Sequence, residues 1–183
     1  MRGDDSSVAP SPPLRAVPEP VARIIGRVGP RRRAHYRVDR TAIGYFCEFS
    51  ENADPRSDPG RMEPVLAPAT FVLTAMRSPA WAPNGLSGEH QYVHVGLPLG
   101  TDKVVNVSVQ HEFHRRLVEG DHVTFTNTIT EVTPKINRLG SGFLVTEQVD
   151  SWTQHEQPIA TTVVTSFMYG DASVTADRGG PDC

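Results

Sequence analysis

Four segments in the second half of the chain alternate apolar and polar residues with a period of two. They cover residues 104–117, 122–132, 142–152 and 158–169, and they are rich in valine and threonine. Strict alternation over such lengths, with many β-branched residues, is typical of half-buried strands. The connections are short, and the first is marked by Gly120-Asp121. The pattern predicts an antiparallel meander with one buried face.

The first half of the chain carries two helix signals. Asp39 is placed to cap a helix running to about Glu51, because its carboxylate can accept a hydrogen bond from a first-turn amide. A second helix is predicted over residues 69–76, where apolar side chains lie on nearly all sides, so we expect it to be buried. A buried helix followed by a meander predicts an α+β fold in which the sheet curls around the helix.

The two ends of the chain differ in composition from the middle. Residues 1–20 are rich in Pro, Ser and Asp and predict a disordered arm. Residues 171–183 are small and polar and predict a flexible tail. A single folded domain is therefore expected over residues 21–170.

Composition excludes several classes of function. The 183 residues carry a formal net charge of −3, which gives no electrostatic reason to expect nucleic-acid binding. Two cysteines, Cys47 and Cys183, provide neither a disulfide framework nor a CxxC zinc motif. No apolar run approaches the ~18–20 residues of a membrane span, and no apolar signal-peptide core is visible. We expect a cytoplasmic protein that binds no membrane.

Several motifs resemble a known family. The segment Gln110-His-Glu-Phe-His-Arg-Arg-Leu-Val-Glu-Gly-Asp121 is similar to the strand-and-turn signature of MaoC-like dehydratases, with Arg116 where proline is common. Other similar segments are residues 67–71, 142–147 and 160–164. The resemblance covers residues 23–170 and implies a hotdog fold. It is greatest to the N-terminal, often non-catalytic, hotdog domain of the MaoC-like (R)-specific enoyl-CoA hydratase and dehydratase superfamily.

This resemblance implies hydration of 2-enoyl thioesters, or the reverse dehydration, but the catalytic loop departs from the family pattern. Active members carry Asp-x-Asn-Pro-x-His, in which Asp and His activate a water. If Pro55 is aligned, Asn52 and Ser57 occupy the dyad positions of this chain. Neither side chain is a useful base near neutral pH. We therefore predict no catalytic residue in this loop, with Asp54 the one candidate for a relocated base.

The remaining candidate residues predict a binding site rather than a catalytic centre. The resemblance places substrate-lining residues at the start of the buried helix and on a flap before the first long strand: Thr70, Phe71, His90 and Tyr92. His111 joins these candidates because it shares the strand face of Val109 and Phe113. We predict no metal site, because His111 and His114 fall on opposite faces of a strand. A thioesterase is the nearest enzyme alternative, but residues 70–76 contain no carboxylate. There is also no GxSxG nucleophile motif.

Three functional hypotheses follow. The first is a non-catalytic subunit of a heteromeric enoyl-thioester hydratase or dehydratase, which shapes the acyl tunnel while a MaoC-like partner supplies the Asp and His. Steroid or long-chain acyl groups are then plausible substrates. The second is an acyl-thioester-binding or scaffold protein without turnover. The third is an active homodimeric hydratase or thioesterase with relocated catalytic residues. None of the three requires a cofactor beyond the coenzyme A or acyl-carrier thioester that is the substrate.

Overall fold

A computed structural model describes residues 14–78 and 91–170 of the chain. The described residues form three α-helices and five strands: α1 (Glu19–Ala22), β1 (Arg32–Arg33), α2 (Arg40–Phe49), α3 (Phe71–Ala75), β2 (Lys103–Phe113), β3 (Thr124–Asn137), β4 (Gly140–Trp152) and β5 (Pro158–Tyr169). Two short 3-10 helices cover Pro55–Ser57 and His94–Gly96. The predicted domain boundaries at residues 20 and 170 stay predictions, since most of both end segments lies outside the described residues. None of the described helices is long and apolar enough to span a membrane.

The five strands form one antiparallel sheet in the order β1-β3-β4-β5-β2. The predicted meander is therefore confirmed for β3, β4 and β5, whereas β2 lies at the edge beside β5. Two of the predicted strand ends were wrong. β2 ends at Phe113 rather than at residue 117, and β3 continues to Asn137 rather than ending at residue 132. The β3 extension pairs through a tight hairpin with β4, in which Asn137 faces Gly140.

Helix α2 confirms the predicted N-cap. The Asp39 carboxylate accepts a hydrogen bond of 2.9 Å from the amide of Ala42, which satisfies one of the free amides of the first turn. The helix ends at Phe49, two residues before the predicted end. Its buried residues are Ile43, Gly44 and Cys47.

Helix α3 is shorter than predicted and is not buried on all sides. It has five residues, because the chain first makes a turn in which the Phe71 amide bonds to the Pro68 carbonyl. Phe71 and Val72 are buried, but Thr74 is exposed.

The main core lies between the helices and the inner face of the curled sheet. It contains Phe71 and Val72 of α3 together with inward-facing residues such as Phe125 of β3, Val149 of β4 and Ile159 of β5. This arrangement confirms the predicted α+β fold with a curled antiparallel sheet around a helix. A second buried cluster, which includes Val21, Phe143 and Met168, closes the other end of the sheet.

Candidate functional site

The loop after α2 brings both dyad-equivalent residues into one short turn. The Asn52 side-chain oxygen accepts a hydrogen bond of 2.9 Å from the Asp54 amide, and the Asp54 carboxylate accepts one of 3.0 Å from the Arg56 amide. These are the local bonds with which Asn and Asp commonly form turns. Pro55 then starts a single 3-10 turn that ends at Ser57.

Ser57 is turned into the protein rather than towards solvent. Its side chain is 1% exposed, and its hydroxyl donates a hydrogen bond of 2.6 Å to the carbonyl oxygen of Leu66. The hydrogen-bond partners of this hydroxyl among the described residues are a carbonyl oxygen and a guanidinium, neither of which is a base that would make it a nucleophile.

Arg116 links the loop to the chain segment that leads into α3. Its Nη1 donates to Asp54 Oδ2 at 2.6 Å, and its Nη2 donates to Ser57 Oγ at 2.9 Å. The Nε donates to the Ala67 carbonyl at 2.7 Å, and Nη2 also reaches the Leu66 carbonyl at 3.2 Å. We call this set of contacts the Arg116 clamp. Sequence reasoning singled out Arg116 only because proline is common at its position, and the clamp itself was missed.

Asp54, the candidate for a relocated base, is held as a carboxylate. Hydrogen bonds from Arg56 and then from Arg116 keep the pKa of Asp54 well below its ordinary value. Both carboxylate oxygens accept hydrogen bonds from these arginines. A carboxylate with such a low pKa and with arginine donors at both oxygens is a poor proton acceptor.

A groove of about 450 Å³ lies over this loop and the adjoining face of α2. Its lining includes Asn52, Asp54 and Ser57, and it also includes Cys47 and Glu48 of the helix. Burial raises the pKa of the Cys47 thiol, so this side chain is a neutral thiol rather than a reactive thiolate.

The predicted substrate-lining residues have different environments. Thr70 is exposed at the start of α3, whereas Phe71 is 2% exposed and packs edge-to-face on Phe46, with ring centroids 5.4 Å apart. His111 is half-buried on the inner face of β2, and its Nδ1 lies 3.0 Å from the Thr162 hydroxyl. Burial lowers the pKa of His111. Among the described residues, no three His, Cys, Asp or Glu side chains are grouped as a metal site requires.

Tyr92 is half-buried and packs against the main core, where burial raises the pKa of its phenol. His90, predicted on the same flap, lies outside the described residues.

A buried histidine–carboxylate pair lies elsewhere on the inner face, and sequence reasoning did not predict it. His94 Nδ1 is 2.6 Å from Glu147 Oε2, and the two side chains are 2% and 0% exposed. His94 Nε2 lies 3.2 Å from the buried Ser166 hydroxyl. Because both ring nitrogens have partners within the core, this pair is not placed to activate a water at the groove. A polar residue at an inward position of a strand, as Glu147 is, was the available signal.

The exposed edge of the sheet is strand β2. It pairs only with β5 in the described structure, and its valines at positions 104, 105, 107 and 109 are each 40% to 60% exposed. An eleven-residue edge strand with exposed valines is a surface that proteins normally cover.

Comparison with solved structures places this architecture among the hotdog proteins. A chain from the ChsH1–ChsH2 complex of Mycobacterium tuberculosis superimposes with a TM-score of 0.65 at 17% identity, covering 83% of this chain and 95% of that one. A chain from the HadBC (3R-hydroxyacyl-ACP dehydratase) complex of the same organism gives 0.53 at 20% identity, covering 80% and 97%. The MaoC-like dehydratase from Rhodospirillum rubrum gives 0.54 at 18%, covering 77% and 91%. At these identities the likeness shows the fold alone.

The family follows from the sequence. Residues 25–162 match the model of the FAS1-like dehydratase domain region, which covers most of the chain. The chain therefore belongs to this family of MaoC-like hotdog domains. A search of curated proteins found no match.

Proposed function

We propose that this chain is the non-catalytic subunit of a heteromeric enoyl-thioester hydratase or dehydratase. In this proposal the chain shapes the acyl-binding space, and a MaoC-like partner supplies the Asp and His that activate water. The observation that carries the proposal is the Arg116 clamp. It joins the Ser57 dyad position to the Asp54 carboxylate, and it engages both in structural hydrogen bonds.

The chemistry of hydration requires a base that can take a proton from water at the moment of addition. At the dyad positions the chain offers an amide, Asn52, and a buried hydroxyl, Ser57, which have no basic lone pair of suitable pKa. The Asp54 carboxylate keeps its negative charge because two arginines stabilise it, and this lowers its affinity for a proton. The loop therefore supports a structural role, and catalysis by this loop would require the clamp to open.

The β2 edge supports a partner. Its exposed valines and Phe113 lie on an edge strand with few charges, which suits pairing with a second strand. Two of the structurally similar chains come from complexes, ChsH1–ChsH2 and HadBC. A second hotdog chain with an intact Asp-x-Asn-Pro-x-His loop is the partner that fits this proposal.

The shape of the inner face supports a bulky acyl group. Helix α3 has only five residues, so it covers little of the sheet, and Val109 and Phe113 of β2 remain about two-fifths exposed on the inner side. A long-chain or polycyclic acyl group could fill this apolar area. The coenzyme A or carrier-protein part of the thioester would then extend towards the partner.

Reconstitution tests the proposal. The chain is expressed alone and together with a MaoC-like hydratase from the same genome, and hydration of crotonyl-coenzyme A and longer 2-enoyl thioesters is measured. We expect no activity from the chain alone and activity from the complex that is lost when the partner's Asp or His is replaced. Asp54→Asn in this chain should leave the rate of the complex within about twofold, since the group is not a base.

Two outcomes would contradict the proposal. If the chain alone hydrates these substrates and Asp54→Asn abolishes the reaction while leaving Tm unchanged, Asp54 is a relocated base. If the chain binds acyl thioesters but activates no partner, a binding or scaffold role without turnover is favoured.

A further inference from the structure

A buried carboxylate on β4 holds a segment of chain against the inner face of the sheet. Glu147 is 0% exposed, and an isolated carboxylate there would be strongly destabilising. Its Oε1 accepts the Val93 amide at 2.9 Å, and its Oε2 accepts the His94 amide at 3.0 Å and His94 Nδ1 at 2.6 Å. The Asn127 side-chain amide also donates to Oε1. Burial alone raises the pKa of Glu147, but these hydrogen bonds outweigh it and lower the pKa.

The segment that contains Val93 and His94 makes further hydrogen bonds to the sheet through Gln91 and through the His94 ring. The Gln91 carbonyl accepts hydrogen bonds from Arg32 Nη2 at 2.7 Å and from Asn127 Nδ2 at 2.9 Å. Beyond His94, the hydrogen-bond chain continues through Ser166, whose hydroxyl donates to the Asn106 side chain at 2.9 Å. Residues 91–94 are thus attached to four strands of the sheet, and we call this arrangement the Glu147 anchor.

Tyr92 lies between the anchored residues. Its neighbours on both sides are bound by the anchor, and its ring is 5.6 Å from the ring of His94. A tyrosine phenol is neutral at physiological pH and can donate a hydrogen bond, and burial raises the pKa of Tyr92 further, although the Gln91 side chain opposes this effect. The anchor therefore leaves little freedom to a half-buried aromatic donor on the inner face.

The inner face beside the anchor is incompletely filled. Ser166 pairs with Asn106 across the β5–β2 ladder, and Val109 is opposite Val164, the next inward residue of β5. Val109 is 43% exposed although it faces inward. Exposed apolar surface therefore lies at Val109, one inward pair along the β5–β2 ladder from Ser166, which contacts the anchored His94. This surface belongs to the edge strand β2.

A buried hydrogen-bonded network around a carboxylate is a poor device for stability alone. Replacing such a network by well-packed apolar residues is often neutral or stabilising. Its distinctive property is that it fixes one geometry, since the four donors to Glu147 are satisfied together only with the segment in place.

We propose that Glu147 and His94 are positioning residues that hold Tyr92 as a fixed wall of the acyl-binding space, where its hydroxyl donates to an oxygen of an acyl thioester. This inference rests on the proposed function and adds a specificity-determining residue to it. The ligand class is an acyl thioester. Either its carbonyl oxygen or an oxygen substituent on its acyl chain reaches the Tyr92 phenol.

Binding of octanoyl-coenzyme A tests the inference, since this saturated thioester cannot be hydrated. Its Kd is measured for the chain alone and for the complex with the hydratase partner. Tyr92→Phe removes one oxygen and leaves the anchor intact, and we expect about fivefold weaker binding, the effect of one hydrogen bond. Glu147→Gln and His94→Gln should weaken binding about tenfold and speed hydrogen exchange over residues 91–96. Glu131→Gln, an exposed carboxylate on β3, is the matched control and should change neither.

Each outcome bears on a different claim. Wild-type affinity in Tyr92→Phe overturns the inference, even if the Glu147 variant fails to fold. Faster exchange in Glu147→Gln with unchanged affinity also overturns it, because the anchor would then be structural only. Absence of octanoyl-coenzyme A binding in both the wild-type chain and the complex contradicts the proposed function as well.

Discussion

Replacing Arg116 by alanine tests the structural role of the degenerate loop. The substitution removes hydrogen bonds to Ser57 Oγ and to the Leu66 and Ala67 carbonyls, all in the interior or half-buried. At about 1 kcal/mol for each of these three bonds, the free energy of unfolding should fall by about 3 kcal/mol. For a domain of this size, this loss corresponds to a decrease in Tm of roughly 6–12 °C. Thermal and urea unfolding measure the change. Arg138→Ala, in the exposed turn between β3 and β4, is the matched control and should have little effect.

The pH dependence of the same variant tests the ion pair with Asp54. Hydrogen bonds from Arg56 and then from Arg116 lower the folded pKa of Asp54 from its ordinary value of about 3.9, so both pairs stabilise the fold above that pH, and their contribution is lost as pH falls towards the lowered value. The difference in stability between wild type and Arg116→Ala should therefore be constant near neutral pH and shrink below about pH 4. An unchanged Tm at pH 7, or a difference that grows on acidification, would refute the reasoning.

Two further predictions concern the helix cap and the sheet edge. Asp39→Ala should lower the free energy of unfolding by about 1 kcal/mol, because the Ala42 amide loses its acceptor. Asp39→Asn should retain most of the stability, since asparagine also caps helices. An equal loss of stability in both variants would argue against the cap. Val107→Lys places a charge on the exposed β2 edge and should weaken association with a second hotdog chain at least about tenfold in sedimentation experiments, whereas Ile136→Lys, an exposed apolar position on β3, should not.

Much of the fold follows from local patterns in the sequence. The strands were predictable because inward and outward residues alternate, as Phe143, Val145 and Val149 do on the buried face of β4. The start of α2 was predictable because Asp39 supplies a cap that needs only residues three positions away. The length of α3 was not predictable, since the turn from Pro68 to Phe71 delays the start of the helix beyond the first residue of the apolar pattern.

The candidate site was only half predictable. That Asn52 and Ser57 replace a dyad follows from the loop motif, which is contiguous in sequence. The Arg116 clamp joins residues 62 and 59 positions apart, and no periodicity reports such contacts. The Glu147 anchor likewise pairs β4 with a segment 53 positions earlier. A glutamate at an inward strand position was its one sequence signal.

The rate of 2-enoyl thioester hydration by the purified chain, with and without a MaoC-like partner, tests the central claim most directly. The account predicts no hydration by the chain alone and, in the complex, a rate that exceeds that of the partner alone and depends on the partner's Asp and His. Hydration by the purified chain in a preparation that contains no partner would contradict this claim.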